Sequence, residues 1–73
     1  MANKFWPATS RTGGGGGALD GIDGSDLTAG DGCIVIMSTF FGVYRATTSA
    51  STENDPGVIV PDVNAGSWSW ELL

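Results

Sequence analysis

The 73-residue chain has no histidine, one cysteine and three basic residues. Each scarcity removes a class of function. A lone Cys33 closes no internal disulfide, and without histidine the mixed cysteine–histidine zinc sites fall away. Nucleic-acid binding by a folded domain needs a basic stripe that displaces counterions from phosphates. Lys4, Arg11 and Arg45, set against eight acidic residues, cannot supply one. A polybasic membrane anchor is excluded on the same ground. No apolar run approaches the ~20 residues of a spanning helix, and residues 1–12 lack the apolar stretch of a secretory signal. The sequence thus predicts a soluble chain made in a cytoplasm, with neither nucleic acid nor membrane as partner.

Length adds a further constraint. A fold of about 60 residues buries only about 60% of the surface its unfolded chain exposes, so it is marginal without a staple. Disulfides and cysteine–histidine metal sites being gone, oligomerisation is the staple left.

Glycine is what the chain has in quantity, with twelve residues, five of them consecutive from Gly13 to Gly17. No helix or strand favours such a run, because glycine loses the most backbone freedom on ordering. A phosphate cradle would need a following Lys-Ser/Thr or the dinucleotide spacing, and neither is present. The run reads as a flexible or closely packed linker. Next comes ALDGIDGSDLTAGD, residues 18–31, with Asp20, Asp23, Asp26 and Asp31 among glycines. An EF-hand loop wants oxygen ligands at alternating positions and a late Glu. Here the third position is Ile22 and no Glu follows at the right distance, so the aspartates read as turn caps bonded to nearby backbone. Leu19, Ile22 and Leu27 are expected to pack under the first strand.

That strand is residues 33–37 (CIVIM), apolar on both faces and expected to be buried on both. Cys33 within it has no histidine to activate it and reads as an inert buried thiol. Residues 40–46 (FFGVYRA) form the returning strand, with Phe41, Val43 and Arg45 on one face and Phe40, Tyr44 and Ala46 on the other. Gly42 marks a bulge or a close approach. Residues 47–57 form a polar loop, 58–60 a short strand stopped by Pro61, and 62–66 a turn. Residues 67–73 alternate cleanly, with Trp68, Trp70 and Leu72 on one face. Alternating tryptophans suit either a sugar-stacking platform, with Tyr44 as a further candidate, or a core or subunit interface, and a terminal strand flanked by serines fits the second.

Residues 1–12 carry Phe5 and Trp6 ahead of Pro7, which pushes Trp6 toward an extended conformation. Such an arm is ordered if it docks, and a neighbouring subunit is the natural dock. The expected architecture is all-β: an N-terminal arm (1–12), a glycine linker (13–17) and a small β domain (18–73). That domain would hold an antiparallel sheet or sandwich of about four short strands, completed by oligomerisation. The residues expected at the assembly interface are Phe5, Trp6, Trp68, Trp70 and Leu72. Acid–base hydrolysis would need a carboxylate pair at defined separation and a cleft. Nothing marks such a pair, so neither an enzyme nor a cofactor is expected.

Several segments in order, taken together, resemble a known pattern. These are the glycine run, ALDGIDG from Ala18 to Gly24, Leu27-x-x-Gly-Asp31, the apolar strand and Tyr44-Arg45. They continue with Ser51-x-Glu53, Pro56-x-Val-Ile-x-Pro-Asp62, Asn64-x-Gly66 and the tryptophan-rich end. The chain resembles a small module of tailed-bacteriophage virion proteins, found near fibre tips and as short free-standing chains. The resemblance covers about residues 13–73. It implies a β-rich, commonly trimeric structural protein of the virion, partnered by capsid or tail proteins and without catalytic residues. A decoration, fibre or collar role follows from it, with glycan recognition at a fibre as the alternative. Ser69 stands where the family often has a basic residue, so no charge contact is carried over to the last strand.

Overall fold

The computed structural model describes residues 3–48 and 52–73. Ser51 of the Ser51-x-Glu53 element, and the middle of the polar 47–57 loop, lie outside the described residues. The architecture is one mixed five-stranded sheet with a layer of turns on one side. In chain order the strands are β1 (Phe5–Ala8), β2 (Gly32–Ile36), β3 (Phe41–Thr47), β4 (Val58–Ile59) and β5 (Ser69–Leu72). Their order across the sheet is β1-β2-β3-β5-β4. β1 runs parallel to β2, while the remaining pairs are antiparallel.

The all-β expectation holds, with one addition. The stretch read as an arm contributes an edge strand to the same sheet, docked within its own chain. This makes the sheet five-stranded and mixed. The parallel pairing needs a long crossover, and residues 9–31 provide it. Pro7, which has no N–H to donate, sits where such a residue is tolerated, in an edge strand.

The crossover is ordered by close backbone approaches. The glycine run is folded: Thr9 N–H donates to the Gly17 carbonyl at 2.7 Å, and Gly14 N–H donates to the Asp20 carboxylate at 2.9 Å. Gly13, Gly14, Gly15 and Gly17 all have positive φ, which a side chain tolerates poorly. A Cβ on Gly21 would collide with the Gly15 carbonyl oxygen, and one on Gly24 with the Asn64 carbonyl oxygen. The Asp-Gly pairs are therefore crossing points of the chain. Two short 3-10 turns follow, Leu19–Gly21 and Gly24–Asp26, the second capped by Asp23, whose carboxylate accepts from Ser25 N–H at 2.9 Å.

The core lies between this crossover and the inner face of the sheet. Register places Trp6, Cys33, Tyr44 and Leu72 in one inward row, Ala46, Trp70 and Ile59 in the next, and Ala8, Val35 and Gly42 in a third. Leu19 and Leu27 close the cluster from the crossover, with Ile22 packed against it. Small residues at the centre of the sheet, Cys33 and Ala46, leave room for the large rings at its flanks. Trp6 and Trp70 meet edge to face, with centroids 6.0 Å apart. β3 keeps continuous register through Gly42, so the glycine marks close approach without a bulge. A Cβ there would lie 2.8 Å from both the Leu72 and Phe40 side chains.

Candidate assembly face

The second face of the sheet has no layer over it among the described residues. Register orders its side chains in rows. Phe5, Gly32, Arg45, Glu71 and Val58 form one; Pro7, Ile34 and Val43 form the next; Ile36 and Phe41 form the third. Leu73, whose N–H donates to the Val43 carbonyl at 2.9 Å, continues the alternation beside Val43. Phe5, Ile36, Phe41 and Leu73 are 61%, 55%, 65% and 72% exposed, and Val63 is the only other large exposed hydrophobic among the described residues. Scattered exposed apolar side chains are ordinary; a contiguous set on one sheet face is not.

This face corrects the expectation that residues 33–37 are buried on both sides. Cys33 and Val35 are fully buried, but Ile34 is half-buried and Ile36 exposed. A single sheet with one covering layer can enclose only one of its faces.

Two features shape the open face. The Phe5 ring lies over Gly32, where an added Cβ would stand 2.8 Å from Phe5 Cδ1. β1 is held in place by Asp31, fully buried at the start of β2. The Asp31 carboxylate accepts from Lys4 N–H at 2.9 Å and Thr28 N–H at 2.8 Å, with Lys4 Nζ at 3.3 Å. Burial is the largest influence on this carboxyl and raises its pKa. The Lys4 and Thr28 N–H groups and the Lys4 ammonium outweigh that effect and hold the pKa below the usual carboxylate value. Arg45 and Glu71 lie directly opposite each other, paired at 2.7 Å. Among the described residues they are the two charged side chains on the face.

The expected interface residues divide. Phe5 is on the open face. Trp6, Trp70 and Leu72 point into the core row by row, Trp70 with no exposed surface. Trp68 falls outside the last strand, because the turn at Asn64 and Gly66, both with positive φ, ends with Trp68 N–H donating to the Ala65 carbonyl at 2.8 Å. It packs half-buried against the core. Of the aromatics considered for sugar stacking, Tyr44 and Trp70 are fully buried and offer no ring face; the Tyr44 hydroxyl donates to the Pro56 carbonyl at 2.6 Å. Ile34, Ile36, Phe41, Val43 and Leu73 are the face residues that sequence reasoning missed. Their signal was present in the strand that is apolar on both sides and in the shared side of Phe41 and Val43.

Elsewhere the chemistry is sparse. Among the described residues there is no cavity and no cluster of three or more metal-ligating side chains. No helix among the described residues is long and apolar enough to cross a membrane. Burial pushes the Cys33 thiol up to about 11, which keeps it protonated and unreactive. Asp20 is buried beneath the glycine loop. Burial raises its pKa most, the Gly14 N–H bond works against that, and Asp62 and Glu53 add to the rise. Compared with family models, curated proteins and solved structures, the chain matches none.

Proposed function

We propose that this chain is a structural, self-associating subunit of a bacteriophage virion, expected as a trimer, that decorates the capsid or forms part of a fibre or collar. The observation that carries self-association is the open sheet face. A chain this short already has little core to spare, yet it leaves four large apolar side chains exposed on one face of its sheet. The virion assignment is supported by the resemblance of residues 13–73 to the phage module.

The test is compositional. In gradient-purified particles from a host producing this chain, quantitative mass spectrometry should find it at a fixed ratio to the major capsid or tail protein. Recovery of the chain wholly in the free soluble fraction would overturn the virion reading.

A further inference from the structure

Resting on the self-association reading, we infer that the open face of the β1-β2-β3 part of the sheet is a homotypic interface. It packs against the same face of other copies of this chain, and β1 completes it. The occupant is a second copy because of charge. The chain carries a net charge of −5, so most surfaces of two copies repel each other. Asp20, Asp23 and Asp26 lie in the crossover layer, and Glu53, Asp55 and Asp62 in loops. Among the described residues the charged side chains on the open face are Arg45 and Glu71, which neutralise each other at 2.7 Å. Copies can therefore meet there without opposing like charges and without burying an unpaired one.

Area agrees with charge. With a phenylalanine offering roughly 200 Å², the exposed parts of Phe5, Ile36, Phe41 and Leu73 sum to about 400–500 Å² of apolar surface per copy. Doubled, and with half-buried Ile34 and Val43 added, that reaches the roughly 1,000 Å² a specific interface needs. The core of such an interface is apolar and its charges stand at the rim, which is how Arg45 and Glu71 sit relative to the two apolar rows. Phe5 reaches the face only because β1 is docked, so the Lys4–Asp31 clasp is a positioning device for assembly as well as a fold contact.

The experiment compares three full-length proteins by light scattering after size exclusion, with circular dichroism and thermal melts as fold checks. They are the wild type, Phe41→Asp and the control Val63→Asp. Val63 is exposed on the other layer, where its carbonyl accepts from Gly24 N–H. The wild type and Val63→Asp should share one oligomeric mass. Phe41→Asp should be a folded monomer at the same concentration, with association weakened at least about a hundredfold. If Phe41→Asp does not fold, Ile36→Lys, at the exposed end of β2, is read in the same way. Association of both face variants at wild-type strength would overturn the assignment of this face while leaving self-association standing. So would loss of association in folded Val63→Asp alone. A wild type that is monomeric at every concentration would overturn both readings.

Discussion

Asp31→Asn tests whether the N-terminal strand is held by a buried carboxylate. The native side chain is fully buried and accepts two backbone N–H bonds, from Lys4 at 2.9 Å and Thr28 at 2.8 Å. Asparagine keeps one acceptor oxygen but turns an NH2 toward the other N–H. One hydrogen bond to a charged group, about 1.5–3 kcal/mol, is lost and a buried donor is left unmet. The Lys4 ammonium is half exposed, so its ion pair adds little. The expected loss is about 3 kcal/mol at pH 7, a large share of the stability of a domain this small. Urea denaturation followed by tryptophan fluorescence reads it, at matched concentrations because assembly also stabilises.

The pH dependence has a definite sign. A folded-state pKa below the unfolded value of about 3.9 contributes stability that is fully present above that value and lost as pH falls through the folded-state value. The gap between wild type and Asn should therefore narrow below about pH 4. Equal stabilities at pH 7, or a gap unchanged down to pH 2, would refute the clasp.

Three further outcomes follow from the same geometry. Gly21→Ala, which drives a Cβ into the Gly15 carbonyl, should cost more than about 2 kcal/mol in urea melts, whereas Gly16→Ala, with open space around it, should stay within about 0.5 kcal/mol of wild type. The Cys33 thiol should resist a disulfide reagent at pH 8 in the native protein and react stoichiometrically in denaturant; fast native labelling would contradict its burial. Asp20→Asn keeps an acceptor for Gly14 N–H and removes a carboxylate whose ionised form the fold disfavours. It should match or exceed wild-type stability at pH 7. The wild type should gain on it as pH falls through the raised folded-state pKa, and a large loss at pH 7 would show that the charge is needed.

Much of the fold was legible in the sequence because period-two patterning is local. The four strands expected near residues 33–37, 40–46, 58–60 and 67–73 form over Gly32–Ile36, Phe41–Thr47, Val58–Ile59 and Ser69–Leu72, shifted or shortened by one or two residues at their ends. Leu19 and Leu27 pack beneath β2 as their spacing suggested. That the arm docks as a strand of its own chain's sheet was not legible, for a physical reason. Its four strand residues carry no alternation to speak of, and its partner strand lies beyond a glycine run that imitates a tether. The crossing points that make those glycines structural are contacts between distant backbones, such as Gly24 with Asn64, which no local pattern encodes. The candidate face was half legible. Alternation sorted Phe41 and Val43 from Tyr44 and Ala46, but which side the crossover covers depends on three-dimensional packing. Whether Trp70 serves the core or an interface was open for the same reason: a large apolar residue in a clean strand suits both equally well.

Sedimentation equilibrium of the wild-type chain over a wide concentration range tests the central claim most directly. Self-association through an uncovered sheet face predicts a mass that is a whole multiple of the 7.5 kDa subunit at micromolar concentration, three being the expected multiple. It also predicts dissociation toward the subunit on dilution. A single species of 7.5 kDa, well folded at every concentration, would contradict it.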